Sequence, residues 1–118
     1  MPNLIILIPS LRQGGAEKFS VNLYNSLSKD ESVELLSISD EGNFYELIQD
    51  KRNVIRLGYK RVIRSIYKLS KELRLRQPET ILTMFLHLSA IVLLLKVFGL
   101  IKSRIINFLL FFIKINFC

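Results

Sequence analysis

The most constraining feature is the run Leu4-Ile5-Ile6-Leu7-Ile8, ended by Pro9. Five consecutive branched apolar residues do not alternate, so they cannot form a strand with one wet face. They read as a strand buried on both faces, the habit of parallel sheets covered by helices on either side. The rest of the chain repeats the theme. A loop from Ser10 to Gly15 leads to a helix from Ala16 to about Ser28, with Ala16, Phe19, Leu23 and Leu27 at helical spacing. Val33–Ile38 reads as a second strand, Phe44–Gln49 as one short helix on Phe44, Leu47 and Ile48, and Val54–Leu57 as a third strand ended by Gly58.

The segment from Lys60 to Arg76 has the clearest helical period, with Val62, Ile63, Ile66, Tyr67, Leu69 and Leu73 as its apolar stripe. Pro78 stops it. Thr80–Met84 predicts a fourth strand, His87–Phe98 an apolar helix capped by Gly99, and Arg104–Asn107 the start of a fifth strand. Strands alternating with helices imply right-handed crossovers. The expectation is an α/β, Rossmann-like open parallel sheet with helices on both faces and strand order 3-2-1-4-5.

Composition agrees. The chain has 118 residues, 50% of them hydrophobic and 23% charged, enough for one globular domain. Its single cysteine, Cys118, excludes an intrachain disulfide. The longest uncharged apolar stretch, Ile81–Leu95, falls short of the roughly 20 residues of a membrane-spanning helix. The opening apolar run lacks the basic flank of a signal peptide. A cytoplasmic protein is expected. Lys96, Lys102 and Arg104 argue against an anchor over residues 81–113.

The net charge of +7 is unevenly spread. Residues 1–50 carry three basic and eight acidic side chains, and residues 51–118 carry fourteen basic and two acidic. Ten Lys or Arg lie between Lys51 and Arg76, opposed only by Glu72. Such a block suits an anionic partner, or is simply a solvated helix face. Lys60, Arg61, Arg64, Lys68 and Lys71 are the candidates for contact with a membrane surface.

Two elements carry possible chemistry. Gly14-Gly15 follows the first strand and opens the first helix, where unpaired N–H groups suit an anion, although a plain turn also explains the pair. His87, the sole histidine, follows the fourth strand. In the expected strand order these loops leave neighbouring strands at the topological switch point, where open α/β sheets bind ligands. A P-loop, a Gly-x-Gly-x-x-Gly fingerprint, a nucleophile elbow and a zinc set are all absent from the sequence.

The stretch Ile8-Pro9-Ser10-Leu11-Arg12-Gln13-Gly14-Gly15-Ala16-Glu17-Lys18, with Asn22-Leu23 further along, resembles the opening of family-4 glycosyltransferases, retaining enzymes of the GT-B fold. Leu36–Asp40, Val54–Gly58 and Gln77-Pro78-Glu79-Thr80-Ile81 are similar to the family's second, third and fourth strand regions, and His87 falls where many members carry a histidine. The resemblance covers about residues 3–106. It implies transfer of a sugar from a nucleotide-sugar donor to a saccharide or lipid-linked acceptor. No metal or other cofactor and no nucleic acid are implied. Gly14, Gly15 and Glu17 would face the donor diphosphate or acceptor, and His87 the reacting sugar.

The chain departs from the family in one important respect. Its glutamates stand at 17, 31, 34, 41, 46, 72 and 79, so no Glu-x(7)-Glu pair is present. The expectation is therefore an incomplete acceptor-side domain over 1–106. The donor-binding domain would be absent, and residues 107–118 would form a hydrophobic, non-native tail rather than a buried strand and apolar terminus. Such a chain is expected to be inactive alone. It would lie in the cytoplasm or peripherally on the inner face of the membrane. The competing reading is a small basic module without catalysis, binding an anionic membrane surface or nucleic acid.

Overall fold

The protein is described here by a computed structural model covering residues 3–12, 14–29 and 32–107. Met1, Pro2, Gln13, Asp30, Glu31 and residues 108–118 lie outside the described residues.

Strand β1 (Leu4–Ile8) is the middle of a five-stranded sheet. It pairs in parallel with β2 (Val33–Ser37) on one side and β4 (Thr80–Thr83) on the other. Strand β3 (Val54–Arg56) flanks β2, and β5 (Arg104–Asn107) flanks β4. The order is 3-2-1-4-5 and every pairing is parallel, as expected.

Period-two alternation along the strands divides the core into two layers. Ile5 and Leu7 of β1, Leu36 of β2 and Ile81 of β4 pack on one face of the sheet. Ile6 and Ile8, with Val33 and Leu35, pack on the other. The first layer is covered by α2 (Val62–Arg76) through Leu69 and Leu73 and by α3 (Leu86–Val97) through Leu88, Val92 and Leu95. The second is covered by α1 (Gly15–Leu27) through Val21 and Tyr24. Both connections that run from left to right in the sheet therefore cross one face, and the leftward β1–β2 connection crosses the other, as right-handed crossovers require. Each fully buried Leu or Ile of β1 adds about 1.5–3 kcal/mol, and four of its five residues, Ile5 to Ile8, are fully buried.

Each helix buries only part of its apolar stripe: of the α2 side expected on the sheet (Val62, Ile66, Leu69 and Leu73), Leu69 and Leu73 are buried and Val62 packs against the core. In α2 the buried sector is Ser65, Leu69 and Leu73, whereas Ile63 and Tyr67 point to solvent and Ile66 lies at its exposed edge. The helix starts at Val62, so Lys60 and Arg61 precede it. In α1 the buried residues are Ser20, Val21 and Tyr24. Leu23 and Leu27 only flank the core, and Phe19 is exposed. The cause is the same in both helices. Ser65 Oγ donates to the Val62 carbonyl at 2.6 Å and Ser20 Oγ to the Ala16 carbonyl at 2.9 Å. A serine satisfied within its own helix can be buried, and its small side chain lets the helix approach the sheet closely.

The segment after β2 forms two 3₁₀ turns, Asn43–Leu47 and Lys51–Asn53, in place of one short helix. Ile48 is buried between them, Phe44 is half-buried and Leu47 is exposed. Gln77, in a left-handed conformation with φ 41°, ends α2 just before Pro78. Gly99, at φ 77°, ends α3 as expected, and Leu100 N–H donates back to the Leu95 carbonyl at 3.0 Å.

Candidate functional site

The loops leaving β1, β2 and β3 at their carboxyl ends are joined into one rim. Ile38 and Ser39 N–H donate to the carbonyls of Ile8 and Pro9, at 3.0 and 2.9 Å. Leu57 and Tyr59 N–H donate to those of Ser37 and Ile38, each at 2.9 Å. The Leu11 N–H donates to the Glu41 carbonyl and the Leu11 carbonyl accepts from Phe44 N–H, both at 3.0 Å. The Leu11 side chain is fully buried, so the β1–α1 loop is held from below as well as from the side. Arg12 adds an ion pair to Glu41. The hydrogen bond from Arg12, and then its charge, hold the Glu41 carboxyl below the ordinary glutamate value.

Gly14 is the residue before α1, in extended conformation, and Gly15 is the first residue of the helix. Nothing stands within 4 Å of the position a Cβ on Gly15 would occupy, so that backbone is open to approach. At Gly14 the corresponding space is filled by the Glu17 carboxylate. Glu17 lies in the first turn, where a negative side chain interacts favourably with the helix dipole. A carboxylate therefore already lies beside the end of α1 that the sequence marks for an anion. Gly14, the N-cap residue, has no side chain to accept a capping hydrogen bond from that first turn.

His87 is the second residue of α3 and is exposed. Its ring meets that of Phe85 edge-on, with centroids 6.0 Å apart and planes at 75°. Phe85 packs against both core layers, so it sits where the two faces of the sheet meet at the end of β4. Its N–H donates to Thr83 Oγ1 at 3.2 Å, which tightens the turn into α3. Because β1 and β4 are hydrogen-bonded neighbours, the Gly14-Gly15 loop and the His87 loop leave adjacent strands at the same sheet edge. Their helices then diverge to opposite faces. This is the switch-point arrangement.

Four surface hollows lie away from those three residues. One, of about 440 Å³, is lined by Gly58, Tyr59, Lys60, Arg61 and Arg64 at the start of α2. It borders the same rim, since Lys60 contributes to lowering Glu41. The other three, of about 480–580 Å³, lie toward the opposite end of the sheet, at the C-terminal ends of α2 and α3 and the starts of β4 and β5. Of the five predicted surface cations, Lys60, Arg61, Arg64 and Lys71 are exposed and make no ion pair within 4 Å among the described residues, although Lys60 acts on Glu41 from further away. Lys68 differs: it is half-buried and lies 3.7 Å from Glu72, which also pairs with Arg76. Among the described residues no cluster of His, Cys, Asp and Glu is arranged to hold a metal ion.

Gly42 is part of the rim that sequence reasoning passed over. It has φ 122°, and a Cβ there would collide with the Leu11 backbone. The signal was the Asp40-Glu41-Gly42-Asn43 cluster, which reads as a turn but does not say what the turn leans on. No protein-family profile, no curated protein and no solved structure matches this chain.

Proposed function

We propose that this chain is the acceptor-side lobe of a GT-B-type glycosyltransferase, which transfers a sugar from a nucleotide-sugar donor to a saccharide or lipid-linked acceptor. The observation that carries the proposal is the pairing of two loops on adjacent parallel strands: the Gly14-Gly15 turn into α1 after β1, open at Gly15, and His87 in the first turn of α3 after β4. In this reading the donor diphosphate approaches the Gly15 backbone and displaces the Glu17 carboxylate from Gly14. His87 contributes a polar contact to the reacting sugar. The bond from the anomeric carbon to the phosphate oxygen breaks, the bond to the acceptor oxygen forms, and the acceptor proton leaves with the nucleoside diphosphate. A second lobe supplies the base, ribose and carboxylate contacts.

A non-catalytic basic module accounts for the cations of α2 but gives the Gly14-Gly15 turn no role, so it is the weaker reading. The test is the coding sequence immediately downstream. A second α/β lobe bearing two glutamates eight residues apart is expected, in this frame or another. The joined protein should release nucleoside diphosphate from a nucleotide sugar in an acceptor-dependent way. Absence of such a lobe, or a joined protein indifferent to every nucleotide sugar, overturns the proposal.

A further inference from the structure

We infer that the layer formed by α2 and α3 docks on an anionic lipid bilayer, with aliphatic and aromatic side chains entering the interface between cations that pair with lipid phosphates. The inference does not rest on the transferase reading. It starts from exposure: Tyr67 is 81% exposed, Val97 79%, Phe98 75%, Ile63 74% and Leu75 69%, and Leu93 and Leu94 are also open. The two helices cover the same face of the sheet, so these residues belong to one layer. A hollow of about 540 Å³ joins Lys71, Arg74 and Leu75 of α2 to Gly99 and Leu100 just past α3. Helical spacing of three and four residues sets Ile63, Tyr67, Lys71 and Arg74 in one row along α2.

Charge selects the partner. Arg64, Lys71, Arg74 and Lys96 are exposed and make no ion pair among the described residues. The two helices carry a single carboxylate, Glu72, and it is turned to Arg76 and Lys68. The acidic side chains Glu17, Glu41, Glu46 and Asp50 belong to the elements before α2. Exposed Ile, Leu and Val beside unpaired Lys and Arg match a bilayer interface, which takes up apolar surface and holds anionic phosphates at the same depth. Nucleic acid offers the phosphates but no apolar phase for Val97, Leu93 or Leu94.

The experiment is flotation of the full 118-residue chain with vesicles of phosphatidylcholine alone or mixed with phosphatidylglycerol, across a salt series. Binding is expected only with phosphatidylglycerol at low salt, falling as salt rises. The triple variant Arg64→Gln/Lys71→Gln/Arg74→Gln should bind about a hundredfold more weakly, at about fivefold per cation. The control triple Lys18→Gln/Lys29→Gln/Lys51→Gln removes the same charge elsewhere and should lose less than about threefold, since it leaves the docked cations in place. Tyr67→Ser/Val97→Ser/Phe98→Ser, all at exposed positions, should weaken binding while leaving its salt dependence. Equal binding to neutral vesicles, equal losses in the two charge triples, no loss in the serine triple, or tighter binding to duplex RNA or DNA than to vesicles of equal phosphate content would each overturn the inference.

Discussion

The Leu11 carbonyl lies where a side chain on Gly42 would begin. That contact presses the β2 loop onto the β1 loop, and the Leu11–Glu41 and Leu11–Phe44 backbone hydrogen bonds hold it there. Gly42→Ala meets both a positive φ and a backbone obstruction. It should cost about 3 kcal/mol or more in urea unfolding, because strain and separated loop hydrogen bonds add. Gly15→Ala, in open space at the first helical position, should be neutral or stabilising by up to about 1 kcal/mol. Similar losses at both glycines would mean that the rim is not packed as described.

The orientation of α2 is checked by truncating each of its faces. Leu69→Ala empties a fully buried position and should cost about 3 kcal/mol. Ile63→Ala removes a solvent-facing chain and should stay within about 0.5 kcal/mol. A reversed order, measured by chemical denaturation, would place Ile63 and Tyr67 rather than Ser65, Leu69 and Leu73 on the sheet.

Tyr24, on the buried face of α1, donates its hydroxyl to the Asp50 carbonyl at 2.7 Å. Burial, and then the nearby Asp50 and Glu34 carboxylates, push its pKa up from 10.0 to about 12. The folded state therefore keeps its proton where the unfolded chain gives it up. This contribution to stability is fully present below pH 10 and is lost between pH 10 and about 12. Spectrophotometric titration should show one tyrosine ionising late. Tyr24→Phe should abolish that step and cost about 1 kcal/mol at neutral pH.

At the acid end the signs reverse. Glu41 and Asp50 have folded pKa values below their ordinary ones, chiefly through hydrogen bonds from Arg12 and Arg52 respectively. Their contributions are present above the ordinary carboxylate values and disappear as pH falls through the folded values. Glu41→Gln should flatten the acid side of the stability profile without shifting the alkaline side, whereas Asp50→Asn should flatten the acid side and also bring the Tyr24 ionisation to lower pH, because the Asp50 carboxylate helps hold the Tyr24 proton. A profile unchanged in Glu41→Gln would show that Arg12 does not hold the rim in solution.

The 118-residue chain by itself should release no nucleoside diphosphate from nucleotide sugars. Retaining transfer requires donor and acceptor to be held together and charge to be stabilised on the departing diphosphate. In the proposed glycosyltransferase reading, the described residues would form one wall of such a cleft. His87→Ala should leave stability within about 0.5 kcal/mol, because His87 is exposed, while reducing turnover in a joined two-lobe protein. Turnover by this chain alone that disappears in His87→Ala would show that it builds a complete site.

The order of elements is written locally in this chain. The run Leu4–Ile8 suits a strand covered on both faces, and the five strands and three α-helices have expected boundaries within about two residues of those observed, whereas the segment after β2 forms two 3₁₀ turns instead of one short helix. Pro78 and Gly99 mark two helix ends through backbone geometry that depends on no distant partner. Strand order followed from the same alternation, because right-handed crossovers leave few arrangements, and it brought Gly14, Gly15 and His87 to one sheet edge. The periodicity of α2 already marked Leu69 and Leu73 for the sheet, and the tertiary structure decided how much of each apolar stripe is buried. Ser20 and Ser65 look like surface residues until their hydroxyls bond within the helix and let it approach the strands, which leaves Ile63, Tyr67 and Phe19 outside. It also decided that Lys68 is partnered and Lys71 is not, that Glu17 folds over Gly14, and that Gly42 bears on Leu11. These are contacts between segments brought together by folding, and residue spacing along the chain records only each segment's own periodicity.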